Sequence, residues 1–194
     1  VKPLCLYSLI LLICFLLPAS NSFSAGEKYA LNLWGAKLTS NNWDDFFGKP
    51  HKLNYVDSKI FIVSLAKRLG KQHRRLNYEI EGQLGKHSGI QNHWEINGLG
   101  VARWEPFFWD RWIDTSMAFG LGLSYATEKP KVEILNEGST EKWMIYWMME
   151  LAFDLPQHPQ FALITRLHHR SEAYGLMAEE GGSNALAIGL KYRF

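Results

Sequence analysis

Met117-Ala118-Phe119-Gly120-Leu121-Gly122-Leu123-Ser124-Tyr125 alternates large apolar residues with the smallest ones available. Side chains on a β-strand point to opposite faces in turn, so one face of this segment is greasy and the other tiny. Lipid outside and a narrow packed lumen inside account for that pattern. The final stretch repeats it, with Leu186, Ile188, Leu190, Tyr192 and Phe194 opposite Ala185, Ala187, Gly189, Lys191 and Arg193. Further upstream, Leu76, Tyr78, Ile80 and Leu84 oppose Asn77, Glu79, Glu81 and Gln83. Alternation alone also suits a soluble sandwich. The segment from Trp143 helps to decide, because Trp143, Ile145, Trp147, Met149, Leu151 and Phe153 make one continuous apolar face while Glu150 and Asp154 sit opposite.

Working outward, the chain divides into eight β-like pieces: Tyr29 to Leu38, Lys59 to Leu69, Leu76 to Gly85, His93 to Trp104, Thr115 to Ala126, Lys142 to Leu155, Gln160 to Ser171, and Ala185 to Phe194. Each is near the ~10 residues that a tilted strand needs to cross an outer membrane, and an even number allows closure. The expectation is all-β: an eight-stranded antiparallel transmembrane β-barrel. No later segment reaches the ~18 apolar residues of a helical span. The first, second and fourth strands alternate poorly, and Gly98 and Gly100 predict a bulge that flips the phase of the fourth. Connections alternate in length. Thr39 to Ser58, Thr127 to Glu141 and Glu172 to Asn184 read as long outer loops, and Gly70 to Arg75 and Pro156 to Pro159 as short periplasmic turns. Phe107, Phe108, Trp109 and Trp112 read as an interfacial belt.

Lys2, the apolar stretch Leu4 to Leu17, and the small residues that follow have the order of a signal peptide. Residues 1–25 are therefore expected to be removed, leaving 26–194 as one barrel domain and the compartment as the bacterial outer membrane. Cys5 and Cys14 both fall in the leader, so the barrel has neither disulfide nor thiolate chemistry. Without Lys2 the 20 basic side chains nearly balance 19 acidic ones, and no bulk field favours nucleic acid. The basic patch from Lys67-Arg68 to Arg74-Arg75 lacks interleaved aromatics and reads as a solvated turn. No histidine and carboxylate spacing points to a metal, and no motif to a cofactor.

The seventh piece ends Arg166-Leu167-His168-His169-Arg170-Ser171, where Phe161, Leu163, Thr165, Leu167, His169 and Ser171 share the lipid face. A histidine and a serine two apart on a strand have Cβ atoms about 7 Å apart, within reach of a shared proton. His168 faces the lumen by parity, with Arg166 and Arg170. Lys49, Lys52, Lys86, Lys129 and Lys131 lie on outer loops, where lipid phosphates are the charged partners to consider.

His169-Arg170-Ser171 at the outer end of the seventh strand, with the chain length and strand count, resembles the PagL-type lipid A 3-O-deacylases. These are eight-stranded outer-membrane barrels with a lipid-facing Ser, His and Glu triad. The resemblance implies an esterase acting on lipid A of lipopolysaccharide, with Ser171 as nucleophile and His169 as general base. It covers roughly the last thirty residues in motif terms. A terminal Phe194 on an amphipathic last strand also resembles the signal read by outer-membrane assembly machinery.

The chain departs from the family at two points. Glu172 follows the serine where asparagine is usual, and Ser183 stands where the family carries its glutamate. The expected acid is then Glu180, with Glu179 as alternative, and Gly175, Gly181 and Gly182 are candidate oxyanion donors. The rival reading is a non-catalytic small barrel with a structural or adhesion role. A palmitoyl-transferring barrel has no supporting motif.

Overall fold

The computed structural model describes residues 28–73, 76–105 and 107–194. The expected leader with both cysteines, and the Arg74-Arg75 end of the basic patch, lie outside the described residues. Eight antiparallel strands pair in sequence order and close on themselves: β1 Tyr29–Thr39, β2 Tyr55–His73, β3 Leu76–Gly89, β4 Trp94–Trp104, β5 Thr115–Ala126, β6 Trp143–Leu155, β7 His158–Ser171 and β8 Gly182–Arg193. Closure is made by β1, which bonds to β2 on one side and β8 on the other. Among the described residues no open sheet edge is left, as a wall in lipid requires. No helix among the described residues is long and apolar enough to cross a membrane.

Burial follows the period of two. On β5, Phe119, Leu121 and Leu123 are exposed while Ala118, Gly120 and Ser124 face inward. On β3, Ile80 and Leu84 point out and Glu79, Glu81 and Gln83 are buried. An apolar exterior around a charged interior is the inverse of a water-soluble barrel and marks a wall built for lipid. β2 alternates poorly in sequence because both faces are apolar there: Phe61, Val63 and Leu65 outside, Ile60 and Ile62 inside. The expected bulge in β4 is absent. Glu95 to Trp104 pairs without a register shift to both neighbours, and Gly98 and Gly100 face outward into open space.

Several strands outrun their expected ends. β2 begins at Tyr55, β3 continues to Gly89 and β8 begins at Gly182, because pairs such as Ser58 with Gly89 and Ser171 with Gly182 extend the ladder above the apolar belt. At the opposite end, Tyr29 and Phe194 exchange backbone hydrogen bonds of 2.9 Å each way, so the first and last strands finish together.

The lumen is filled. Arg166 donates to Glu150 Oε2 and Glu81 Oε1 at 2.6 Å each, Arg103 reaches Glu79 Oε1 at 2.9 Å and Glu150 Oε1 at 2.8 Å, and Lys191 also bonds Glu150. Apolar layers flank these charges, one around Trp34, Ile60, Ile62 and Ile164, the other around Leu99, Val101, Tyr146 and Met148. Gly189 lies opposite Trp34 across the β1–β8 pair, where a Cβ would come within 2.2 Å of the Leu33 carbonyl oxygen. The short helix Lys131–Glu137 sends Val132 and Glu133 into the loop-end mouth. Glu133 there accepts from Arg170 Nε at 2.9 Å, from Ser183 Oγ at 2.8 Å, and from the Thr140 hydroxyl.

Candidate active site

The strand registers carry the site. Across β6, β7 and β8, Trp147 pairs with His169 and His169 with Asn184, so the three side chains stand in a row on the outer wall. Two residues nearer the loops, Ser171 pairs with Ile145 and Gly182. A cleft of about 1090 Å³ opens over this row. Its wall is apolar, with Phe119, Ile145, Trp147 and Met149, and its rim is polar, with Asn42, Asp44, Glu137, Glu172, Glu179 and Glu180. Trp43 of the first long loop leans edge-on against Trp147, ring centroids 5.8 Å apart. Such a division suits an amphiphilic ligand, with an apolar trough for a chain and a polar rim for a headgroup.

His169 is 8% exposed, with its ring against Trp147 at 4.5 Å between centroids. Its Nδ1 lies 2.6 Å from Asn184 Oδ1. The Asn184 amide has only one sensible orientation, because its Nδ2 donates to the Asn41 carbonyl at 2.9 Å. Oδ1 must then face the imidazole, which places the proton on Nδ1 and leaves Nε2 as the basic nitrogen. Asn41 is itself pinned: its Oδ1 accepts the Asn54 N–H at 2.6 Å and its Nδ2 donates to Asp45 at 3.1 Å.

Ser171 Oγ donates to Glu172 Oε2 at 3.2 Å and accepts the Ala173 N–H at 3.1 Å; it forms no hydrogen bond with His169. Ala173 and Tyr174 have φ of 55° and 57°, and Gly175 follows at 86°. Left-handed backbone at two successive non-glycine residues is costly and clusters at sites of function. The turn aims the Ala173 amide back at the Ser171 oxygen.

The sequence-predicted residues are thus partly brought together. His169 and Ser171 share one outward cleft, and Glu179, Glu180, Gly181 and Gly182 also line it, whereas Gly175 does not. Neither Glu180 nor Glu179 bonds the imidazole. That role falls to Asn184, which sequence reasoning missed although the signal was present: even-numbered positions of β8 face outward, so Ser183 had to face the lumen and Asn184 the lipid side. Gly182 pairs with Ser171 in the ladder, the Gly181 carbonyl accepts the Glu172 N–H, and the backbone N–H that donates to the serine oxygen is that of Ala173. His168 is inside, between Tyr146 Oη at 3.1 Å and Glu95 at 3.2 Å. Of the outer lysines, Lys49 pairs with Asp45, Lys129 with Glu141, and Lys86 lies over Trp94.

No family model matches the chain, and no curated protein matches it either. Among solved structures it is similar to the crystal structure of the outer membrane enzyme PagL, at 11% identity over 85% of this chain and 99% of that one, with a TM-score of 0.64. It is also similar to a de novo designed transmembrane β-barrel, at 10% identity over 89% of this chain and 100% of that one, TM-score 0.49. The chain therefore has the PagL barrel fold, an eight-stranded closed wall suited to a membrane.

Proposed function

We propose that the protein is an outer-membrane esterase that removes the 3-O-linked acyl chain of lipid A. The observation that carries this reading is the His169–Asn184 hydrogen bond on the outer wall, in the same cleft as Ser171 and at the loop end of β7. In a bacterial barrel that end faces outward, at the depth of the esters of lipopolysaccharide. Signal-peptide cleavage and delivery to the outer membrane belong to the same proposal.

The chemistry is that of a serine hydrolase with asparagine as the orienting member, a substitution known from Cys-His-Asn sites. Ser171 rotates about χ1 from Glu172 toward His169, and Nε2 takes the hydroxyl proton as Oγ attacks the ester carbonyl. The Ala173 N–H is a backbone donor where negative charge develops. The imidazolium then gives its proton to the sugar 3-oxygen as its bond to the acyl carbon breaks. Water, deprotonated by the same nitrogen, attacks the acyl-serine, and that proton returns to Ser171 Oγ as the fatty acid leaves. Asn184 fixes the tautomer without supplying the negative charge that a carboxylate would.

The contact between Ser171 and Glu172 favours the second reading, a non-catalytic barrel with a structural or adhesion role. Expression in a bacterium making hexa-acylated lipid A separates the two. Mass spectrometry is expected to find loss of one hydroxyacyl group, abolished by Ser171→Ala and by His169→Ala. Unchanged lipid A from correctly folded wild-type protein rejects the esterase.

A further inference from the structure

Inside the wall, a second set of titratable groups has no part in the cleft. His87 of β3, His93 of the β3–β4 turn and Glu95 of β4 are all buried, and one ligand-type atom from each lies within 4.8 Å of the other two. Glu95 is already oriented. Its Oε1 accepts from Asn97 Nδ2 at 2.8 Å and faces His168 Nε2 at 3.2 Å, which leaves Oε2 toward His87 Nε2 at 2.9 Å. Arg170 Nη1 stands 4.0 Å from that oxygen. Gln91 Nε2 lies 2.9 Å from His87 Nδ1, while its Oε1 accepts the Val132 N–H at 3.1 Å, which ties the group to the helix capping the mouth.

His93 does not fit a closed hydrogen-bond network. It is 2% exposed and its ring stacks on His87 with centroids 4.2 Å apart, yet its Nε2 has no partner among the described residues. A buried unpaired ring nitrogen is uncommon and calls for a cause.

We propose that His87, His93 and Glu95 form a binding site for a divalent transition-metal ion of the zinc type. Two imidazoles and one carboxylate are a recurrent three-ligand set for zinc, with a fourth position left for water. Imidazole donors disfavour calcium and magnesium, which prefer oxygen throughout. Ligands of this kind work when outer partners hold them, and Asn97 and His168 already hold Glu95 in this way; for His87 Nε2 to take a metal, the Gln91 amide must turn so that its oxygen accepts from His87 Nδ1–H. A tetrahedral zinc ion keeps its ligand atoms roughly 3.3 Å apart, so metal binding requires His93 to leave its stack on His87 and turn its ring nitrogen toward the same centre. The bound ion would clamp the β3–β4 turn and the capping helix to the barrel. The inference does not rest on the esterase reading.

The test uses untagged barrel extracted in detergent, stripped with EDTA and titrated with Zn²⁺ by calorimetry and with Co²⁺ by visible absorption. Expected are one equivalent of Zn²⁺ and the intense absorption of four-coordinate cobalt. His93→Ala and His87→Ala should abolish both, Asn97→Ala should weaken binding by roughly ten- to a hundredfold, and His169→Ala should leave it intact. Heat-modifiable migration on gels reports that each variant is folded. If His93→Ala does not fold, His93→Gln, which lacks the ring nitrogens, takes its place. Folded wild-type protein without saturable metal binding, or binding indifferent to replacement of His93, overturns the proposal.

Discussion

Asn184 holds the most chemistry per atom in the cleft, because one amide fixes which nitrogen of His169 is basic. Its two bonds, Oδ1 to the imidazole and Nδ2 to the Asn41 carbonyl, oppose a flip of the amide. A flipped amide would present N–H to the ring and stabilise the wrong tautomer, the failure that costs serine hydrolases about 10⁴ in rate when their acid becomes an amide. Asn184→Ala is therefore expected to lower deacylation by roughly a hundredfold or more in a lipid A mass assay. Asn184→Asp is expected to retain or raise it, since a carboxylate also stabilises the imidazolium. Loss of activity in Asn184→Asp equal to that in Asn184→Ala would show that the contact only packs the wall.

At the scale of the strand, register does what no local motif could. His-x-Ser specifies two groups, but the third is thirteen positions on in a neighbouring strand, and only pairing brings Asn184 beside His169. The other edge of β8, its pairing with β1, depends on close backbone approach at a glycine. At Gly189 a Cβ would sit 2.2 Å from Leu33 O and 2.3 Å from Trp34 Cβ, so Gly189→Ala is expected to destabilise the β1–β8 closure by about 3 kcal/mol. A lower midpoint in urea unfolding, with Gly98→Ala unchanged as control, checks this.

The barrel itself was legible because β3, β5, β6 and β8 separate greasy from polar or tiny faces. β2 was less so, since Ile60 and Ile62 fill the lumen beside Asn32 and Trp34 and erase its contrast. Loop-borne features left little trace: the Ala173–Tyr174 turn and the capping helix depend on tertiary contacts. The His87, His93 and Glu95 group shares no short motif, and it converges only because β3 and β4 form a hairpin.

For the whole molecule, the interior charges act as one unit. Glu150 faces Arg103, Arg166 and Lys191 together. Replacing it by glutamine leaves the three cations with Glu79 and Glu81 as carboxylate partners among the described residues, and breaking a buried pair in this way costs about 3–5 kcal/mol. Glu150→Gln is expected to unfold at clearly lower urea concentration, and a midpoint equal to wild type would mean that the network contributes little. The same filling governs traffic through the wall. Arg166 bridges opposite sides and Val132 and Glu133 are buried at the mouth, so among the described residues the interior is obstructed at two levels. Reconstituted into a planar bilayer it should carry no ionic current, and a cell that bears it should be no more permeable to small antibiotics.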